Sequence, residues 1–301
     1  MTQPASQSHV ATLIAPPGRL DDAALKRARA ELPDAGEPHW LAQATAADLP
    51  FSLEPGADQR ALGDRLRGML NGVDVVVQPT GNRRKKLFLA DMDSTMIEQE
   101  CIDELADYVG LKAHVAAITE RAMRGEIAFE PALRERVALL KGLPIATIGE
   151  VLETRITLTP GGRELVATMR KAGAYTCLVS GGFTLFTQPI GALIGFNETR
   201  GNLLALDDLL LAGRVAEPIF GRETKRATLD ELRERLGLVQ DDTLVAGDGA
   251  NDMDMIAAAG LGVAFHAKPA VAAAAAARIE HGDLTALLYA QGYRRDEFVP
   301  T

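Results

Sequence analysis

Cysteine is scarce in this chain, with only Cys101 and Cys177 in 301 residues. Neither belongs to a C-x-x-C pair, and the five histidines are scattered. A disulfide framework and a zinc site therefore have no support, and both thiols read as reduced and buried. Basic charge is short as well: 32 Lys and Arg against 41 Asp and Glu give a formal net charge of −9. That excludes a broad nucleic-acid face, because phosphate backbones need a surplus of cations. A small anionic ligand stays open wherever a few cations converge. No apolar run reaches the ~18 residues of a membrane span. The opening "MTQPASQSHVATLIAPPGRL" has no basic leader region and only a short apolar segment, so it does not read as a signal peptide. A cytoplasmic protein is expected.

Hydrophobic residues make up 47% of the chain, enough for one large core or two smaller ones. "HVATLIA" (residues 9–15), "HWLAQATA" and "VDVVVQP" read as three strands, separated by two amphipathic helices, "DDAALKRARAEL" and "DQRALGDRLRGML". This unit ends near Pro79. "TGNRRKK" follows as a polar, basic and solvated linker. From Leu87 the rhythm changes to short apolar strands alternating with helices: "LFLAD", "YTCLVS", "DTLVAGD" and "LGVAF". Residues 100 to 155 are nearly all helical in pattern. Leu203 to Arg214 reads as a hairpin, "TLFTQPIGALIG" as a helix kinked or broken at Pro189, and the alanine-rich "AVAAAAAARIE" as a helix. The pattern predicts an α/β fold with a parallel sheet covered on both faces, ligands lying beyond the carboxyl ends of the strands.

Three strands end in polar clusters. In "DMDST", Asp91 and Asp93 can converge, and two close carboxylates need a counter-ion; Mg²⁺ prefers oxygen ligands. Asp93, Ser94 and Thr95 are equally good helix caps. "VSGGFT" places Ser180 and the Gly181 amide where a phosphate could sit, although a plain tight turn explains it too. "GDGANDMD" is neither a dinucleotide fingerprint nor an EF-hand loop. It leaves Asp248 at a strand end with Asn251 and Asp252 behind it. Asp248 could complete an oxygen cage begun by Asp91, and Asp252 could orient a metal-bound water or a lysine. Lys225, opening the preceding helix, supplies a cation.

In this order the clusters resemble the haloacid dehalogenase superfamily: D-x-D-x-T as Asp91/Asp93/Thr95, then Ser180, then Lys225, then G-D-x-x-x-D as Gly247/Asp248/Asp252. The stretches "DMDSTMIEQECIDELA", "ITERAMRGEIAFEPALRERVALLKGLP", "VSGGFT" and "VAGDGANDMDMIAAAGLGVAFHAKP" narrow the likeness to its phosphoserine phosphatase family, over about residues 87–288. The resemblance implies a Rossmann-like core (87–301) with a helical cap of about 100–155 inserted after its first strand. It also implies an ACT-like α+β N-terminal domain (1–80), shortened to three strands, with 81–86 as linker. The implied reaction is Mg²⁺-dependent hydrolysis of O-phospho-L-serine to serine and phosphate, the last step of serine biosynthesis. Asp91 would be the nucleophile and form an aspartyl phosphate, and Asp93 the general acid and base. Ser180, the Gly181 amide and Lys225 would hold phosphoryl oxygens. Mg²⁺ would sit on Asp91, Asp248 and the Asp93 backbone carbonyl, with Asp252 behind. From the cap, Glu100 would meet the substrate ammonium and Arg136 its carboxylate, while Met123 and Phe129 exclude water; Asn251 would touch substrate or phosphate. Alternatives are transfer to an alcohol such as homoserine, a related small phosphomonoesterase, a receiver-like phospho-switch, or a serine-sensing protein with an inactive catalytic half. Homodimerisation is left open.

Overall fold

The computed structural model describes residues 7–54 and 56–301. The first six residues, part of the stretch read above as carrying no leader, lie outside the described residues. The N-terminal unit runs β1 (His9–Ile14), α1 (Asp22–Glu31), β2 (His39–Ala42), β3 (Ala46–Phe51), α2 (Gln59–Met69) and β4 (Asp74–Pro79). Its sheet has the order β2-β3-β1-β4, antiparallel throughout. Four strands are present, where the sequence reading gave three. The chain reverses at Ala44, which has φ 52°, and Thr45 N–H closes the turn on the Ala42 carbonyl. The missed strand, "AADLPF", has no β-branched residue and contains Pro50, so its pattern carries little strand signal.

Successive residues of a strand face opposite sides. Ala11, Leu13, Val75 and Val77 pack under α1 and α2 with Leu25 and Leu66. Ile14 and Val76 point the other way and join the larger core with Leu287 and Tyr289. Polar groups on that second face are all tied down. Asp74 accepts from the amides of Glu280 (2.7 Å), His281 (3.2 Å) and Gly282 (2.8 Å). The Gln78 side-chain amide donates to the Ala290 carbonyl at 2.7 Å. The basic run is solvated only in part: Arg84 and Lys86 are exposed, whereas Arg83 and Lys85 are tied down. Arg83 pairs with Asp48 at 2.6 Å and donates to the Ala290 carbonyl, and the Lys85 ammonium donates to the carbonyls of Asn82 and Asp241. Burial holds the Asp74 carboxyl above its usual range, yet three amides depend on it. Asp74→Ala is expected to cost about 2 kcal/mol of stability, because the amides lose their acceptor. Asp74→Asn, which keeps an acceptor, should lose less; melting temperatures of the two variants check this.

After β4 comes the second unit: β5 (Leu87–Ala90), then the cap helices α3 (Cys101–Asp107), α4 (Lys112–Met123), α5 (Phe129–Ala138) and α6 (Ala146–Thr154). It continues as α7 (Gly162–Lys171), β6 (Tyr175–Phe183), α8 (Thr184–Ile194), β7 (Glu198–Asn202) and the hairpin β8 (Leu204–Asp207) and β9 (Leu210–Val215). It closes with α9 (Arg222–Arg235), β10 (Thr243–Gly247), α10 (Met253–Ala258), β11 (Leu261–Phe265), α11 (Pro269–Ala274), β12 (Ala277–Ile279) and α12 (Ala286–Ala290). The six-stranded sheet has the order β12-β11-β10-β5-β6-β7, and every neighbouring pair is parallel. "LFLA" and "TLVAG" are buried throughout, as strands covered on both faces must be. Two expectations are corrected. The alanine-rich run breaks after Ala274 and becomes a strand, because pairing with the β11 edge outweighs helix propensity there. β6 continues past Ser180 through both glycines to Phe183. The helix "TLFTQPIGALI" runs through Pro189 as one element.

Candidate active site

Register brings the three polar clusters together. Ala90 is level with Ala246 on one side and Leu178 on the other, so Asp91, Asp248 and Ser180 emerge at one edge of the sheet. The order reverses between β5 and β10, which is the switch point where such sheets bind ligands. Past Asp91 the chain makes one wide turn, with Ile97 N–H returning to the Met92 carbonyl at 3.0 Å and Ser94 at φ 55°. That turn keeps Asp93 facing the site and lets the Thr95 hydroxyl reach Asp248 at 3.2 Å.

Asp91 is buried. Its Oδ1 accepts from Met92 N–H at 2.7 Å and pairs with the Lys225 ammonium at 2.7 Å. Lys225 has no exposure and also pairs with Asp252 at 2.7 Å. The second Asp252 oxygen accepts the Gly249 amide at 3.1 Å. Gly247 must lack a side chain, since a Cβ there would lie 2.5 Å from the Asp252 carboxyl carbon. Asp252 is thus held between the lysine and the Gly249 amide. Asp93 Oδ1 accepts the Cys101 amide at 2.8 Å and Oδ2 the Ser180 hydroxyl at 3.0 Å; Ser180 Oγ in turn accepts the Gly182 amide at 2.8 Å.

Asp91, Asp248 and Asp252 each offer an oxygen within 4.8 Å of the others. Burial, then the Asp252 charge, push the Asp91 carboxyl well above the ordinary range, against the pull of Lys225. The same two causes lift Asp248 to about 7. Burial alone would lower the Lys225 ammonium, but Asp252 and Asp91 more than offset it and hold it above its usual value. One ammonium cannot neutralise three buried carboxylates. Asp91 and Asp248, whose surroundings disfavour their ionised forms, fit a hard divalent cation, which would restore them. The triad is therefore a candidate divalent-metal site.

The cap closes over this edge. Asp91, Asp93, Glu100, Met123, Phe129, Arg136, Ser180, Gly181 and Asn251 line one cavity, with Lys225, Asp248 and Asp252 buried beside it. A Cβ on Gly181 would lie 2.6 Å from the Phe129 ring, and one on Gly249 would overlap the Met123 methyl. Both cap side chains thus seal glycine backbone. The Ser94 hydroxyl donates to Glu100 at 2.6 Å; burial, then Asp93 and Asp248, hold that carboxyl well above its usual range. Arg136 is 4% exposed, and its guanidinium has no carboxylate within ion-pair distance among the described residues. It donates from Nε to the Ala132 carbonyl (3.0 Å) and from one terminal nitrogen to the Thr119 hydroxyl (2.9 Å). The buried Asn251 side-chain oxygen also lacks a partner among the described residues.

Every residue singled out in the sequence is at this one site. Sequence reasoning missed Asn202, whose side chain donates to the carbonyls of Gly181 and Phe220 and accepts the Phe220 amide, so that it ties the glycine end of β6 to the entry of α9. Nothing in "RGNLL" marks it. It also missed Thr119, a buried threonine inside α4, where threonine is a poor helix former; that misfit is a readable signal.

The sequence profile of the haloacid dehalogenase-like hydrolases matches residues 88–257, and the chain belongs to that family. A phosphoserine phosphatase of Polaromonas sp. is 49% identical over 208 residues, covering 67% of this chain and 88% of its own length. One from Mycobacterium tuberculosis is 41% identical over 227 residues, 75% of this chain and 55% of its own. Among solved structures, a phospho-aspartyl intermediate analogue of phosphoserine phosphatase superposes with a TM-score of 0.66 at 38% identity, over 68% of this chain and 98% of that one. A haloacid dehalogenase family hydrolase from Salmonella enterica matches 96% of this chain and 99% of its own, with TM-score 0.82 and 27% identity; the likeness therefore includes the N-terminal sheet. Among the described residues no helix is long and apolar enough to cross a membrane.

Proposed function

We propose that this chain is a phosphoserine phosphatase, hydrolysing O-phospho-L-serine to serine and phosphate. The observation that carries it is the distribution of charge in one closed cavity. The Asp91–Ser180–Gly181 end suits a phosphoryl group, Glu100 an ammonium, and the unpaired Arg136 a carboxylate. Three groups in that spread describe an amino-acid phosphomonoester. The phosphoserine phosphatases among its relatives point the same way.

Asp91 Oδ1 is occupied by Met92 N–H and Lys225, which leaves Oδ2 to attack phosphorus and form the aspartyl phosphate. Ser180, the Gly181 amide and Lys225 hold phosphoryl oxygens, and Asn251 meets the substrate. When Ser180 turns its hydroxyl to the phosphate, Asp93 Oδ2 is released to protonate the departing serine oxygen and later to take a proton from water. Asp91, Asp248 and the Asp93 carbonyl would hold Mg²⁺, with Asp252 behind; it supplies positive charge against the meeting of two anions. Met123 and Phe129 keep water out. Residues 1–80 are read as a unit joined through 81–86 to the catalytic part, 87–301, with the cap at about 100–155.

The test is direct. Purified protein with O-phospho-L-serine and Mg²⁺ should release phosphate and free serine in equal amounts, and chelation should abolish this until Mg²⁺ is returned. Absence of serine release would sink the reading. Arg136→Ala should raise the KM for phosphoserine by roughly 100-fold, because a buried bidentate partner is lost, while inhibition by inorganic phosphate changes little. Equal weakening of both ligands would remove Arg136 from carboxylate recognition.

A further inference from the structure

Arg136 reaches into the cavity from α5, yet the group that fixes its plane belongs to a different helix. Its Nε is spent on the Ala132 carbonyl of its own helix at 3.0 Å. One terminal nitrogen donates to Thr119 Oγ1 on α4 at 2.9 Å. Three of its five N–H groups are left without a protein acceptor among the described residues. Thr119 Oγ1 has a single proton and two acceptors within reach: the Asp103 carboxylate on α3 at 2.7 Å and the Val115 carbonyl at 3.1 Å. The shorter bond to the charged group takes the proton. Once it is committed to Asp103, the lone pairs of the hydroxyl can only face the guanidinium. Thr119 is 4% exposed and lines the cavity beside Arg136.

We infer that Asp103 and Thr119 form a relay that positions Arg136, so that specificity for a carboxylate-bearing phosphoester is set by α3, α4 and α5 together. The inference deepens the assignment of Arg136 to the substrate carboxylate and rests on it. Thr119 is a positioning residue, since it acts through the arginine. With Nε and one terminal nitrogen both bonded, the guanidinium cannot rotate about its last torsions, and its free N–H groups keep one heading. Without the relay, a long side chain regains rotamers that must be frozen when substrate binds. The loss should therefore fall on substrate binding and spare the phosphoryl end of the cavity.

A double-mutant cycle on the full chain tests this, using phosphoserine turnover with Mg²⁺ and inhibition by inorganic phosphate as a probe of the phosphoryl end alone. Thr119→Val, which keeps the shape and removes the hydroxyl, should raise the phosphoserine KM about tenfold, the loss expected for one hydrogen bond to a charged group. kcat and the phosphate inhibition constant should stay within about threefold, the scatter allowed to an indirect contact. Thr119→Ser should restore the KM, and Asp103→Asn should raise it less than Thr119→Val. In an Arg136→Ala background Thr119→Val should add nothing. An additive effect there, or parallel weakening of phosphate and phosphoserine, overturns the relay. Should Arg136→Ala itself leave the phosphoserine KM unchanged, the carboxylate assignment fails instead, so the two failures are told apart. A Thr119→Val protein that did not fold would leave Thr119→Ser and Asp103→Asn to decide, since a relay predicts that serine keeps and asparagine impairs the KM.

Discussion

Asp91→Asn is expected to abolish turnover, with a loss of roughly 10⁴-fold or more, the scale at which removal of a covalent nucleophile is felt. The change is nearly isosteric. The carboxamide can still fill the space between the Met92 amide and Lys225, so the site should stay assembled. It cannot attack phosphorus, because the amide oxygen carries no charge to donate. Quenching wild-type protein during turnover should trap phosphate on the chain as a base-labile adduct, and the variant should trap none. A second readout separates chemistry from folding. Burial and the Asp252 charge hold the Asp91 carboxyl well above its ordinary range. A folded-state value above the unfolded one means that the ionised side chain opposes folding at neutral pH. Asparagine removes that charge. The variant, stripped of divalent metal, should therefore melt no lower than wild type, the usual exchange of stability for activity at a catalytic site. A lower melting temperature with lost activity would show that Asp91 is structural.

The chemistry was legible because each motif lies where backbone register is forced. "LFLA" and "TLVAG" have no polar face, so they must be covered strands, and their neighbours Asp91 and Asp248 must then emerge at the same edge. The long helical insert was legible from its period alone. What escaped had no local signature. β3 is held by partners on both sides although Pro50 and three small or acidic residues argue against a strand. β12 forms within an alanine-rich run because β11 offers a free edge, a fact no window of sequence contains. Arg83 and Lys85 looked like a solvated run; their acceptors, Asp48, Ala290 and Asp241, are remote in the chain. Asn202 bonds only backbone groups distant in sequence, which leaves no motif, and Thr119 shows itself only as a threonine buried inside a helix.

Lys225→Met shows why that distinction matters, because here stability and activity should fall together. The ammonium sits with no exposure between Asp91 and Asp252, 2.7 Å from each. Methionine replaces the aliphatic stem and stops one atom short, at the ammonium, so most of the packing survives and the charge is lost. Two carboxylates are then buried against each other and against Asp248 with no protein cation between them. Breaking a buried pair from one side leaves the other side uncompensated, at about 3–5 kcal/mol. The metal-free variant should therefore unfold well below wild type, in contrast to Asp91→Asn, although both changes touch the same ion pair. Adding Mg²⁺ should recover part of the gap, since a ligand that binds only the folded chain raises stability with its concentration. Turnover should drop by roughly 10³-fold even where the protein is folded, because phosphoryl transfer depends on cations held in place. Melting curves with and without Mg²⁺, read beside turnover at a temperature where both proteins are folded, resolve the two effects. A variant as stable as wild type in chelator would mean that the carboxylates are neutral without the lysine, and the case for a divalent ion among them would lose its electrostatic ground.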